Sequence, residues 1–220
     1  MSASPKLALL LAVCAGAPGG CAATQPVDYR GLASASQMAP NPRDKDGHMP
    51  YRYSAADADW TSFTSVVLDP IAIYDGPDQQ FGDMSARDRK ALADYMQAQL
   101  GEALKGNYAL ANAPGPNTLR IHATLTGAEA STPVLSTVSK IAPVGLVVNG
   151  VQSLRDKQAA LTGSVSYAVE IYDSTSGRLL RAYVSKQYPF AENVLASFGT
   201  LDASRAGIRN GSHDLLAQLH

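Results

Sequence analysis

Cysteines, histidines and paired carboxylates carry most protein chemistry, and in this chain one of them stands in a pattern that names a reaction. Cys21 follows Lys6, the apolar run Leu7-Ala8-Leu9-Leu10-Leu11-Ala12-Val13 and the small residues Gly19-Gly20. A basic start, a short apolar core and a small-residue exit make an export signal. The run is too short to span a bilayer, which needs about 20 apolar residues. With Gly20 directly before it, Cys21 has the form of a lipid-attachment cysteine: a peptidase cuts before it and the sulfur takes a diacylglycerol. Pro18 departs from the aliphatic residue usual at that place, and cleavage after Ala23 or Ala17 is the competing route. Cysteine usage favours lipidation. The chain has two, Cys14 and Cys21, both within the signal. An unmodified Cys21 would leave an odd free thiol in an oxidising compartment. One acyl chain holds a protein only marginally, at about 0.8 kcal/mol per buried methylene, whereas several chains on one cysteine anchor it durably. Ala22, rather than Asp, after the cysteine points to the outer membrane under Gram-negative sorting rules.

The other reactive side chains form no comparable pattern. His48, His122, His213 and His220 are the four histidines, and none pairs at metalloprotease spacing. A zinc site needs three or four converging ligands, so no metal or cofactor is expected. His122 reads as a solvated residue on the polar face of a strand. Gly163-Ser164-Val165-Ser166-Tyr167 lacks the second glycine of a nucleophile elbow. Thr137-Val138-Ser139-Lys140 has Thr where an acylation motif needs Ser. Asp44-Lys45-Asp46-Gly47 falls short of a calcium loop, because Pro42 holds the first acidic place and Tyr53 the last. Asp57, Asp59, Asp69, Asp75 and Asp78 read as turn formers and acidic surface. No catalytic residue is assigned, and the chain is expected not to be an enzyme. A formal net charge of −1 gives no basic footprint for nucleic acid.

The elements that would position any site follow from periodicity. Residues 1–20 are the signal. Residues 21–59 have few large apolar groups and much Ala, Ser, Pro, Asp and Gly, so they read as an extended lipidated tether. Tyr29, Leu32, Met49, Tyr51 and Tyr53 are candidates to pin it to a domain. A single domain is expected over 60–220. Phe63 to Ile73 is a β-rich run that Pro70 interrupts as an edge or bulge. Ser85 to Leu104 is the clearest helix: Ser85 caps, Asp88 completes a capping box, and Leu92, Tyr95, Met96, Leu100, Ala103 and Leu104 recur at helical spacing. Leu119, Ile121, Ala123 and Leu125 alternate as a strand. Val165 to Ile171 and Leu180 to Val184 form a hairpin around Asp173-Ser174-Thr175-Ser176-Gly177. Leu201 to Leu219 is a last helix, in which Gly207 and Gly211 each cost about 1 kcal/mol relative to Ala and so point to close packing. The fold class is α+β: a mostly antiparallel sheet with two main helices on one face.

Pro133 to Val151 carries one charge, Lys140, and from Pro143 onward its valines share a helical face. Ile141, Val144, Val147, Val148 and Val151 are the candidate partner-contact residues. The competing readings are an apolar helix packed on the sheet and a membrane-contacting element.

Several stretches are familiar. Tyr29-Arg30-Gly31-Leu32, Tyr51-Arg52-Tyr53, Trp60 leading to Val66-Val67-Leu68-Asp69-Pro70, and Val169 to Leu180 with its Asp173-to-Gly177 turn resemble a bacterial lipoprotein family, domain of unknown function 3313. Ser176 replaces the family's usual Thr. The likeness spans nearly the whole mature chain, implies lipidation and the same fold, and supplies no mechanism. The combined expectation is an outer-membrane lipoprotein, facing the periplasm, whose domain binds or assembles. Its partners would be the membrane through the lipid, and an envelope protein, peptidoglycan or a second copy of itself. The alternatives are an envelope hydrolase and an oligomeric pore or scaffold.

Overall fold

A computed structural model describes residues 26–45, 47–129, 163–188 and 201–220. In chain order the elements are β1 (Ala39–Pro40), β2 (Tyr51–Ser54), β3 (Ser65–Leu68), β4 (Ala72–Ile73), α1 (Ala86–Lys105), β5 (Ala109–Leu110), β6 (Thr118–Glu129), β7 (Ser164–Asp173), β8 (Leu179–Gln187) and α2 (Asp202–Ala217). The strands make one sheet in the order β1-β2-β8-β7-β6-β3-β5, with β4 also on β6. Pairing is antiparallel from β1 through to β6, while β3, β4 and β5 join in parallel. No helix among the described residues is long and apolar enough to cross a membrane.

The α+β class, with two α-helices among the described residues, is as expected, and the local chemistry that builds it is visible. The Ser85 hydroxyl accepts the Asp88 N–H at 3.1 Å and starts α1. Leu92, Ala93, Met96, Leu100 and Leu104 are its buried stripe. They meet Leu119, Ile121, Ala123 and Leu125 of β6, and Val165, Tyr167, Val169 and Ile171 of β7, in one core that also takes Ile208, Leu215 and Leu219. Gly177 closes the β7–β8 turn at φ +69°, where a side chain would be strained. The glycines of α2 are contact points. A Cβ on Gly207 would sit 2.7 Å from Val165 Cγ1, and one on Gly211 would collide with the Tyr167 hydroxyl.

The run expected as one strand from Phe63 to Ile73 is two. β3 pairs with Thr118–Ile121, the chain steps out at Asp69-Pro70, and β4 rejoins β6 at Thr124–Leu125. Proline has no N–H to give the ladder, which explains the break. The Ile71 N–H instead donates to Gln97 Oε1 of α1, at 2.9 Å.

The larger correction concerns the expected tether over 21–59 and a domain beginning at Trp60. From residue 26 onward this stretch is part of the folded body. β2 extends the sheet, with Tyr51 opposite Val184 and Ser54 opposite Arg181. Tyr29 is fully buried with Tyr74, Ala168 and Val184, and Val27, Leu32, Met38 and Tyr51 pack around them. The reason is the sheet's second face. Side chains alternate across a strand, so Ala168 and Val184 point away from the helices and need a cover. The N-terminal stretch supplies it with scattered anchors: Tyr29, Leu32 and Tyr51, expected as pins, pack here, but without a periodicity that marks the whole stretch as folded.

Candidate functional site

Cys21 and the candidate contact residues Ile141, Val144, Val147, Val148 and Val151 lie outside the described residues. Their point of departure does not. β6 and β7 pair down to Glu129 opposite Ser164, and the Ser164 hydroxyl donates to Glu129 Oε2 at 2.8 Å. The connection that carries all five residues, 130–163, therefore leaves and returns at neighbouring positions of one hairpin. Hairpin connections are ordinarily about 2–5 residues.

On the sheet's second face two polar groupings stand out. The first is a clasp on the N-terminal stretch. The Tyr29 ring meets Tyr74 edge-on at 5.4 Å, and its hydroxyl donates to Gln80 Oε1 at 2.9 Å. Tyr74 donates to Asp78 Oδ1 at 2.6 Å and accepts the Gly31 N–H at 3.0 Å. The Arg30 N–H donates to Asp78 Oδ2 at 3.1 Å. Tyr29 holds φ +46°, uncommon outside glycine. A Cβ at position 31 would lie 2.9 Å from the Tyr74 ring, so the Tyr-Arg-Gly-Leu motif is a fit to Tyr74.

This clasp should be strongest between two pH limits. The Tyr74 hydrogen bond holds the Asp78 carboxyl below the usual aspartate value of 3.8. A lowered value contributes stability above that pH, and the contribution is lost as pH falls through it. Burial pushes Tyr29 from 10.0 up to about 12. A raised value contributes below pH 10 and is lost as pH rises towards 12. Thermal unfolding from pH 3 to 11 should show both limbs, with Asp78→Asn reducing the acid limb, which Asp57 and Asp173 share, and Tyr29→Phe reducing the alkaline one, which Tyr74, Tyr167, Tyr172 and Tyr183 share.

The second grouping joins β3, β6 and β7. Asp69 Oδ2 accepts both Arg120 Nε at 2.9 Å and His122 Nε2 at 2.8 Å. The His122 ring meets Tyr172 edge-on at 5.2 Å. Burial, with Glu170 beside it, pushes Tyr172 up to about 12, so it stays neutral. Glu170 is 6% exposed and accepts the Ser34 N–H at 2.7 Å. His122, expected as merely solvated, is thus paired with a carboxylate. Arg120 and His122 share a face at strand spacing, which the sequence carries, but Asp69 arrives from another strand's end, which it does not. An Asp–His pair is half of a general-base device. Among the described residues no serine, threonine or cysteine hydrogen-bonds to His122, and no group of three or more His, Cys, Asp and Glu forms a metal set.

The remaining sequence candidates take structural roles. Asp44 accepts the His48 and Met49 N–H groups at 3.1 and 3.0 Å, which closes its own turn. Asp57 pairs with Arg178 at 2.8 Å. His213 is exposed on α2.

The profile of a family described as "Protein of unknown function (DUF3313)" matches residues 28–215. No curated protein matches the chain. Among solved structures, a PelC dodecamer from Paraburkholderia phytofirmans is similar at 12% identity and TM-score 0.35, over 76% of this chain and 90% of that one. A DUF4136 family protein from Bacteroides thetaiotaomicron is similar at 12% identity and TM-score 0.37, over 77% and 95%. A putative neuraminyllactose-binding hemagglutinin homolog from Helicobacter pylori is similar at 10% identity and TM-score 0.33, over 76% and 85%. These likenesses are distant, and no property of those proteins is carried to this chain.

Proposed function

The chain belongs to the DUF3313 family of proteins of unknown function, and from that premise we propose that it is an outer-membrane lipoprotein whose periplasmic domain acts by binding or assembly and not by catalysis. The lipid sits on Cys21 after removal of residues 1–20. The observation that carries the binding reading is the hairpin connection 130–163. It springs from a hydrogen-bonded strand pair and carries the apolar residues Ile141, Val144, Val147, Val148 and Val151. Its 34 residues far exceed the roughly 2–5 that closing a hairpin requires, which supports a role beyond joining the strands. The contact is with an envelope protein, peptidoglycan or a second copy of the chain. The rival, an envelope hydrolase, draws on the His122–Asp69 pair and needs a nucleophile beside it.

Two variants in cells test this. Labelled palmitate should enter the wild-type protein and be absent from Cys21→Ala; label retained by that variant would overturn the anchor. Replacing residues 131–162 with Asn-Gly should leave circular dichroism and Tm nearly unchanged and abolish the crosslinked species formed by the wild type in membranes. Unchanged crosslinking, or an unfolded variant, would refute the contact role and place the connection in the core.

A further inference from the structure

We infer that the open part of the sheet's second face, built by Asp69, Arg120, His122 and Tyr172, binds an N-acetylated saccharide, the glycan strand of peptidoglycan. This rests on the proposed periplasmic binding role and singles out one of its three partners, at a place outside the 130–163 connection. Arg120 and His122 stand on β6 opposite Tyr172 and Glu170 of β7. The N-terminal cover reaches Glu170 through the Ser34 N–H, yet the Arg120 and His122 side chains stay 43% and 39% exposed. One oxygen of Asp69, Oδ2, takes Arg120 Nε at 2.9 Å and His122 Nε2 at 2.8 Å. Both side chains are thereby held in place at one nitrogen each. Among the described residues nothing hydrogen-bonds Arg120 Nη1 or Nη2, Asp69 Oδ1 or His122 Nδ1. A guanidinium is a rigid fork of N–H donors, and a neutral imidazole that donates at Nε2 accepts at Nδ1. Positioned donors and acceptors therefore stand side by side, next to the Tyr172 ring at 5.2 Å from the imidazole.

Charge and polarity select the ligand. Arg120 and Asp69 cancel, and Glu170 adds a negative charge beside them, so a phosphate or another anion finds no net attraction here. A protein partner is favoured by an apolar centre depleted of charge, and this floor offers none. Val67, beside Arg120 on β3, is only 8% exposed. Further along, Ala168 opposite Thr124 is already covered by Tyr29. The accessible groups are Arg120, His122, Thr124 and Tyr172, all of them partly exposed. A saccharide matches that set. Its hydroxyls donate and accept, and its ring carbons give the Tyr172 ring an apolar partner. An acetamido group adds one C=O for the guanidinium fork and one N–H for Asp69 Oδ1 or His122 Nδ1. Few, well-placed polar groups are what fix the orientation of such a ligand.

The test uses the full lipidated chain in detergent micelles, titrated calorimetrically with chitotetraose, a β-1,4-linked N-acetylglucosamine tetramer, and with cellotetraose, which lacks the acetamido groups. Chitotetraose should bind, and cellotetraose about tenfold more weakly or not at all. Arg120→Lys keeps a charge beside Asp69 and removes the fork. His122→Phe keeps a ring beside Tyr172 and removes the acceptor. Each should weaken chitotetraose by about tenfold or more with Tm nearly unchanged, and they are read separately, so that one that unfolds leaves the other decisive. No binding of chitotetraose, equal binding of the two tetramers, or wild-type affinity in a folded variant overturns the site. Co-sedimentation with purified sacculi is read on the same protein and on the variant with Asn-Gly in place of residues 131–162. Both should sediment. Sedimentation lost only with the connection places the glycan contact there and overturns the site. A wild type that forms its membrane crosslink without sedimenting refutes the glycan site alone. One that does neither refutes the binding role, and the site with it.

Discussion

Tyr29→Ala should lower the free energy of unfolding by about 3–5 kcal/mol, the range for truncating a buried large aromatic residue. Tyr29 is 0% exposed, stacks edge-on against Tyr74 and gives its hydroxyl to Gln80. Removing the ring opens a cavity over Ala168 and Val184 and leaves the Gly31 and Arg30 contacts to Tyr74 and Asp78 unsupported. Urea denaturation followed by circular dichroism measures it. Tyr29→Phe separates the ring from the hydroxyl and should cost about 1 kcal/mol, the net value of one hydrogen bond. If residues 21–59 were a tether, both substitutions would stay within about 0.5 kcal/mol, as surface changes do.

Two glycines in helices should respond to substitution with opposite signs. Gly211→Val should destabilise by about 2–3 kcal/mol, although valine is the better helix former, because its Cβ enters space held by the Tyr167 hydroxyl. Tyr167 is 1% exposed and sits under α2 in the core, so it has nowhere to move. Gly101→Ala in α1 should stabilise by about 1 kcal/mol, since a Cβ there meets nothing within 4 Å. Thermal melts of the two variants against wild type check the pair. A neutral Gly211→Val would mean that α2 is not seated on β7 as described. The cost of glycine in α2 is therefore repaid by close approach, whereas in α1 it is not.

The sequence was most legible where local physics repeats. Ser85 with Asp88, and the spacing of Leu92, Met96 and Leu100, place α1 to within one residue of Ala86–Lys105. The Asp173-to-Gly177 turn sets the β7–β8 hairpin, because positive φ at Gly177 is a local demand. Alternation in β6 and β7 names the helix-facing core. Even the packing of Gly207 and Gly211 could be read, as a propensity loss that something must offset.

What tertiary structure alone decided is the fate of everything that lacks a period. Tyr29, Leu32 and Tyr51 are legible as pins, but with Met38 they are too sparse to signal a buried cover. They become a cover only because β7 and β8 present Ala168 and Val184 on their second face. His122 and Asp69 are distant in sequence, and their 2.8 Å contact exists because β3 pairs in parallel with β6 and sets Asp69 beside Ile121, next to His122. The positions of α1 and of the β7–β8 hairpin were decided by sequence alone, which also singled out Cys21 as the proposed lipidation site. The three-dimensional arrangement decided that the described chain from Pro26 onward is bound to the sheet's second face. Whether a segment is free or bound depends on a complementary surface, and local composition does not encode that surface.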